Sequence, residues 1–187
     1  MSEQVHHSPG APVPGGADAE RPRQAFTYGL AGLIVVFDQA AKAVVRSQLP
    51  LHESVSVVPG LLDITHVQNS GAAFGILNAT DFPFKPAIML AVAIAAFVAI
   101  AYYATQLPER DRLARIGLTL VLGGAVGNLI DRAATGYVVD FVDVYWGEWH
   151  FWAFNVADAA ITAGAGLVLI DLIGARRHAP EGAASAE

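Results

Sequence analysis

Residues Leu113 to Ala134 read LARIGLTLVLGGAVGNLIDRAA, and this stretch decides the expected fold. It is about as long as the roughly 20 residues that an α-helix needs to cross a bilayer. Because a backbone in lipid must satisfy its own hydrogen bonds, we expect a helix here. The stretch nevertheless ends in Asn128, Asp131 and Arg132, although a charge near the membrane centre costs at least ~2.5 kcal/mol. These polar groups need an explanation beyond membrane insertion.

Composition and three further apolar stretches extend this interpretation to the whole chain. Hydrophobic residues make up 54% of the 187 residues, charged residues only 15%, and the mean hydropathy is +0.45, all typical of a membrane protein. We therefore predict an all-α membrane protein, a bundle of four transmembrane helices within residues 26–175. The other three spans lie at about residues 26–46, 86–106 and 153–173.

Basic residues give the orientation. They precede the first span, follow the fourth, and cluster between the second and third. The positive-inside rule therefore places both termini in the cytoplasm, with residues 1–25 as a disordered tail and 176–187 as a second tail. The connections 49–84 and 135–152 then face outward. The basic residues that carry this argument are Arg21, Arg23, Arg110, Arg112, Arg115, Arg176 and Arg177.

The two outer connections differ in character. In the first, the β-branched content of Ser54–Gly60 and Leu61–Val67 predicts short strands on the membrane surface. The second is rich in tyrosine, tryptophan and phenylalanine, which favour the level of the lipid headgroups. We interpret the second connection, 135–152, as an outer loop that is a candidate lid.

Polar residues recur in the spans at helical spacing, so members of each pair share a helix face. Given the orientation above, these pairs and Asp140 all fall near the outer membrane face, whereas Asp171 lies at the inner end. Polar pairs can simply hold membrane helices together, and so can the small residues Gly123, Gly124 and Gly127. Convergence at one face favours a functional site instead. The pairs are Asp38 with Lys42, Asn128 with Arg132, and Asn155 with Asp158.

The available chemistry is that of carboxylates. The chain has no cysteine, no H-E-x-x-H metal motif and no basic patch with interleaved aromatics that would suit nucleic acid. Two carboxylates a few ångströms apart cannot both ionise easily, so one keeps a proton near neutral pH. One can then activate water while the other polarises a carbonyl, which suits peptide hydrolysis.

The sequence offers five aspartates for such a pair. Asp38 has Lys42 at pairing distance and Asp131 adjoins Arg132, so we interpret both as ionised supports. Two others have no cation nearby in the sequence, which suits a shared proton. This reasoning leaves one alternative open. The favoured pair is Asp140 with Asp158, and the open alternative is Asp143.

Five blocks of sequence resemble the lipoprotein signal peptidase family, also called signal peptidase II, whose members are intramembrane aspartic peptidases. The resemblance covers the region from about Phe26 to Ile173. It implies a four-helix membrane bundle with a small β-structured cradle and a short loop or helix on the outer face. The blocks are Asp38–Lys42, Asn69–Phe74, Gly127–Arg132, Val138–Phe141 and Phe154–Asp158.

The resemblance also implies roles for residues. The catalytic aspartates of the family fall on Asp140 and Asp158, and Asp38–Lys42 becomes a structural ion pair. The implied reaction removes the signal peptide from a prolipoprotein, before a cysteine that carries diacylglycerol, in the bacterial inner membrane. It implies no metal, no cofactor and inhibition by globomycin-type peptides. Nothing in the sequence requires more than a monomer. Substrate-binding or supporting roles fall on Asn69, Gly71, Phe74, Asn128, Arg132 and Asn155.

Two rival interpretations remain at this stage. A small membrane transporter or proton relay would also use intramembrane acids, but it predicts acids spread across the membrane depth. Other intramembrane aspartyl proteases, of the prepilin peptidase or presenilin type, carry a Gly-x-Gly-Asp motif that this sequence lacks.

Overall fold

The computed structural model contains four long helices, each with a segment apolar enough to cross a membrane. These segments are Thr27–Gln48, Lys85–Gln106, Arg112–Thr135 and Val156–Gly174. The helices are α1 (Gly16–Gln48), α2 (Lys85–Gln106), α3 (Arg112–Thr135) and α4 (Val156–Arg177). The structure describes residues 16–71, 77, 80, 82–108 and 110–177, with side chains only between 27 and 174.

Two helix boundaries differ from the expected ones. Helix α1 begins at Gly16, so residues 16–25 are helical rather than part of a disordered tail. Hydropathy detects only the part of a helix that fits the hydrocarbon core, and this polar extension carries good helix formers such as alanine, glutamate and arginine. Residues 1–15 and 178–187 lie outside the described part of the chain. Helix α4 begins at Val156 rather than 153, for a reason given with the site below.

Helix α3 lies at the centre of the bundle and contacts the other three helices. A methyl group added at Gly124 would meet the carbonyl of Ala157, and one added at Gly117 would meet that of Gly164. The backbones of α3 and α4 therefore approach each other more closely than any larger residue would allow. Gly123 in the same way faces α1, so the expected role of these glycines in close packing agrees with their contacts.

The outer surface of the bundle is apolar. In α2, only Lys85 and Met89 are buried, and this helix lies at the edge of the bundle. Large side chains such as Val92, Val98 and Leu169 are more than half exposed. A soluble helix would bury such residues, so these faces are suited to lipid. The four helices and the small sheet thus confirm the membrane-protein class.

A four-stranded antiparallel sheet lies at one end of the bundle, in the order β1-β2-β3-β4. The strands expected in the first outer connection are present as β1 and β2. The interpretation of the second connection as a loop was wrong, because it supplies β3 and β4. Its Val- and Phe-rich start has the β-branched and aromatic content of a central strand. The strands are β1 (Ser54–Val58), β2 (Leu62–Asn69), β3 (Val138–Trp146) and β4 (Trp149–His150).

A short junction fixes the sheet on the bundle. Gly136 ends α3 in the left-handed conformation, with φ of 82°, and its N–H bonds the carbonyl of Arg132. Strand β3 then starts two residues later, and its Val139 and Phe141 pack against Val45 of α1. This packing holds the first residues of strand β3 across the end of the helices.

Candidate active site

The first turn of α4 carries a reciprocal cap. Asn155 precedes the helix, and its side-chain oxygen accepts the N–H of Asp158 at 2.9 Å. The carboxylate of Asp158 accepts the N–H of Asn155 in return, at 3.3 Å. This is a capping box, which satisfies two N–H groups that the helix would otherwise leave free. It explains why α4 starts at Val156, and it fixes the Asp158 side chain at the helix N-terminus.

The same asparagine reaches a second carboxylate. The amide nitrogen of Asn155 donates to Asp140 on β3 at 2.7 Å. Asn69 at the end of β2 donates to the other oxygen of Asp140 at 3.0 Å. Asp140 is 3% exposed and Asn155 is fully buried. Asp140 and Asp158, which lie on different elements, are therefore joined through one buried residue, Asn155, by its side-chain amide and its backbone N–H.

Asn128 of α3 connects Asp158 to Lys42 of α1. Its amide nitrogen donates to Asp158 at 2.8 Å, and its oxygen accepts from Lys42 at 3.0 Å. Because an ammonium group can only donate, Lys42 fixes which way the Asn128 amide points. Asn128 therefore offers its N–H group, rather than its oxygen, to the carboxylate.

Lys42 is also the centre of a buried ion cluster. Its ammonium lies 2.8 Å from Asp38, four residues earlier on α1, as expected, and 2.9 Å from Asp131 on α3. Asp38 in turn accepts the backbone N–H of Ala157 at 3.0 Å, which links α1 to α4. The cluster thus ties three helices together beside the candidate site.

Asp131 does not pair with Arg132, the neighbour in the sequence that was expected to be its partner. Instead of Arg132, its partners are Lys42 and Arg46, the latter at 3.4 Å. Successive residues on a helix point about 100° apart, so Asp131 turns toward α1 while Arg132 turns toward the sheet. Asp131 also accepts the N–H of Val139 at 3.3 Å, which anchors the start of β3 directly before Asp140.

Arg132 contacts the loop after β2. Its guanidinium donates to the carbonyl of Gly71 at 3.1 Å, and its charge acts on both Asp158 and Asp140. Gly71 donates to the side chain of Asn69 at 3.0 Å, so this loop and Asp140 are connected. Phe74, the remaining residue expected in the outer loop motif, lies outside the described residues.

Two residues of this region were missed by the sequence analysis. Arg46 joins the ion cluster, and Gln39 donates to Asp131 at 3.3 Å and to the carbonyl of Gly127 at 3.0 Å. The positions 39, 42 and 46 repeat the spacing of one helix face. Extending the pairing of Asp38 and Lys42 by one turn would have found them.

The alternative candidate, Asp143, has a different partner. Its carboxylate bonds His150 of β4 at 2.9 Å, and it makes no contact with the network of Asp140 and Asp158 among the described residues. His66, which the sequence suggested as a strand residue, is a buried residue of β2 and bonds the carbonyl of Leu49 at 2.8 Å.

Asp140 is the titratable group of the site that lies outside the membrane-spanning helices. Burial raises its pKa from 3.8 to about 7, and the negative charge of Asp158 acts in the same direction. The hydrogen bonds from Asn69 and Asn155 oppose this rise. Near neutral pH, Asp140 therefore exists in both the protonated and the ionised form.

Fold and site together define a class: a multi-pass membrane protein with two aspartates joined through one buried asparagine at one end of a four-helix bundle. A family model described as signal peptidase (SPase) II matches residues 30–174. The chain belongs to this family, as the sequence blocks suggested, and it is therefore a peptidase, a multi-pass protein of the bacterial inner membrane.

Individual relatives agree with the family model. The lipoprotein signal peptidase of Geobacter metallireducens is 47% identical over 139 residues, which cover 74% of this chain and 85% of that protein. That of Solibacter usitatus is 42% identical over 152 residues, or 81% and 93% of the two chains. A bacterial membrane enzyme solved by the in meso method at 2.3 Å resolution has a TM-score of 0.74 at 30% identity, covering 84% of this chain and 93% of the other.

Proposed function

We propose that this peptidase removes signal peptides from diacylglyceryl-modified prolipoproteins, with Asp140 and Asp158 as a catalytic pair that activates water. The names of the relatives support the substrate class. The hydrogen bonds of Asn155 carry the assignment of the pair. Its side-chain amide donates to the carboxylate of Asp140, and its backbone N–H donates to the carboxylate of Asp158. The bond cut is the one before the lipidated cysteine.

The two aspartates have different tasks in this proposal. Asp158 lies in the first turn of α4, where the helix dipole and the N–H of Asn155 favour a carboxylate. It acts as the base that takes a proton from water. Asp140 has its pKa raised to about 7, so it carries a proton that it donates to the carbonyl of the scissile bond. When the tetrahedral intermediate collapses, the proton that Asp158 took from water passes to the leaving amine, and the carbonyl oxygen returns its proton to Asp140.

Polar groups around the pair would hold the substrate. Arg132 and the loop carbonyl of Gly71 lie beside the pair, and the guanidinium can stabilise the tetrahedral intermediate or hold a substrate carbonyl. Asn69 and Asn128 orient one carboxylate each. We also assign Phe74 to the substrate-facing loop, on the sequence motif alone.

The proposed topology follows from the distribution of arginines. Both termini lie in the cytoplasm, and the sheet and the catalytic pair lie at the outer face, within residues 26–175. At that depth, a lipidated cysteine can reach the pair while its acyl chains stay in the bilayer. The proposal includes a monomeric enzyme and inhibition by globomycin-type peptides.

Cleavage of a diacylglyceryl-modified prolipoprotein by the purified protein tests this proposal. We expect cleavage by the parent and a loss of at least ~100-fold in kcat for Asp140→Asn and for Asp158→Asn, the low end of what a positioned acid or base contributes. Asp143→Asn is the matched control, because it changes the same strand outside the network. It should retain activity within about threefold of the parent.

Two results would contradict the proposal. Activity that survives either change in the pair removes that aspartate from the mechanism. A loss in Asp143→Asn as large as that in Asp140→Asn would favour the alternative left open by the sequence. Mass determination of the product checks the position of the cleaved bond.

A further inference from the structure

A cavity of about 90 Å³ lies at the opposite end of the bundle from the aspartate pair. It opens between α1, α2 and α3, and it is bordered by Thr27, Leu107 and Arg115. Each of these residues lies near the end of a membrane-crossing segment, because Thr27 begins the segment of α1 and Leu107 follows α2. The cavity therefore lies at the boundary between the hydrocarbon core and the headgroups of one leaflet.

The walls of the cavity are largely apolar. Leu118 and Leu122 of α3 face Ala104 of α2 across it. The side chain of Thr119 is buried, and its hydroxyl donates to the carbonyl of Arg115 at 2.8 Å, so it is already bonded within α3. The space suits an acyl chain or glycerol backbone better than water, which needs polar partners.

Arg115, a cation, lies at the opening of this apolar cavity. Arg115 is exposed, and among the described residues no carboxylate lies within salt-bridge distance of it. Arg112, three residues earlier, is also exposed and lies on the same helix face. Arg110, in contrast, is paired with Asp111 at 3.6 Å. Among the residues whose side chains the structure describes, the positive charge without a carboxylate partner therefore lies next to the cavity.

We propose that this cavity is a binding site for an anionic phospholipid of the leaflet opposite the aspartate pair. Arg115 binds the phosphate, with Arg112 adding to the attraction, and the apolar walls of the cavity take the upper part of an acyl chain. Basic pockets between membrane helices are suited to such headgroups. The guanidinium is the better group for this task than an ammonium, because it can bond two phosphate oxygens at once. The proposal does not depend on the peptidase mechanism.

Native mass spectrometry of the detergent-solubilised full chain can test it, with phosphatidylglycerol and phosphatidylcholine of the same acyl chains as probes. We expect tighter binding of phosphatidylglycerol, and about fivefold weaker binding of it by Arg115→Gln, as expected for one arginine near a lipid headgroup. Arg110→Gln removes the same charge where Asp111 already balances it, and it should change the affinity by less than about twofold.

A second variant separates the cavity from the charge. Ala104→Phe fills the cavity without changing the charge, and it should also weaken phosphatidylglycerol binding severalfold. Equal losses in Arg115→Gln and Arg110→Gln, with none in Ala104→Phe, would show only general attraction to a basic surface and would overturn the site. Equal affinity for both lipids, or displacement of the lipid by millimolar inorganic phosphate, would overturn it as well.

Discussion

Two pairs of aspartates lie side by side at the same end of the bundle, and they differ in what stands between them. Asp38 and Asp131 flank the ammonium of Lys42, at 2.8 and 2.9 Å. Asp140 and Asp158 flank the neutral residue Asn155, whose side-chain amide donates to Asp140 and whose backbone N–H donates to Asp158. Both pairs join separate elements of the chain. Asp38, Asp131 and Asp140 are buried, and Asp158 is half-buried. In the function proposed above, the bridging group distinguishes a structural pair from the catalytic pair.

The difference follows from how charge is balanced in a low dielectric. A cation between two carboxylates, assisted by Arg46, balances their charge and holds the helices together. The two N–H groups of Asn155 donate hydrogen bonds but carry no charge, so this residue brings two carboxylates together without balancing their charge. One of the two then keeps a proton at neutral pH. Asn128 contacts both Lys42 and Asp158, so it separates the two environments.

Replacing the cation Lys42 should have the largest effect, and this effect is on the stability of the protein. In Lys42→Met, two buried carboxylates lose the ammonium group that they share. We expect the free energy of unfolding to fall by ~3–5 kcal/mol. A denaturant titration in detergent measures this loss. Arg46→Met is the control, since Arg46 is 31% exposed and only 3.4 Å from Asp131, and it should cost less than ~1 kcal/mol. A stable Lys42→Met protein would show that Lys42 does not hold the helices.

Asp131 links the two pairs, and its removal should have an intermediate effect. Asp131→Leu removes both the partner of Lys42 and the acceptor of the Val139 N–H, whereas Asp131→Asn keeps an acceptor oxygen. We expect Asp131→Leu to lower kcat by about tenfold more than Asp131→Asn, because β3 loses its anchor directly before Asp140. Rates for prolipoprotein cleavage, taken on folded protein, provide the measurement. Equal rates for the two variants would mean that this anchor does not position Asp140.

Local interactions of this site could be predicted from the sequence, and those between distant segments could not. The pair of Asp38 and Lys42 follows from helical spacing, and the convergence of polar groups follows from hydropathy and the arginines. The link from Lys42 to Asp131 depends on how far each helix is rotated, which no periodicity gives. The bond between Asn155 and Asp140 depends on β3, a strand that the sequence analysis interpreted as a loop.

The helix ends show the same limit. Hydropathy gives the part of α1 within the membrane but not its polar extension from Gly16. The start of α4 is set by the cap between Asn155 and Asp158, which was visible in the sequence only as two polar residues on one face. A capping box search would have found both the helix start and the reason that Asp158 points into the site.

The smallest expected effect concerns the proton of the proposed catalytic pair, Asp140 and Asp158. Asp140 has a pKa of about 7 instead of 3.8, so its protonated form persists to neutral pH and is lost as the pH rises further. If this proton is needed for catalysis, kcat/KM falls on the alkaline side with a midpoint near 7. The hydrogen bond from Asn69 stabilises the ionised carboxylate and so lowers this pKa. Removing it in Asn69→Ala should move the alkaline limb to higher pH, by roughly one unit or less.

The pH profile of cleavage distinguishes this effect from a general loss of structure. Gln68→Ala changes the neighbouring residue of β2 but leaves the bond from Asn69 to Asp140 in place, so its alkaline limb should coincide with that of the parent. A fall in rate at every pH without a shifted midpoint in Asn69→Ala would mean that Asn69 only positions Asp140. Activity that rises rather than falls with pH through a midpoint near 7 would mean that Asp140 is the base of the pair, because a base gains activity as it ionises.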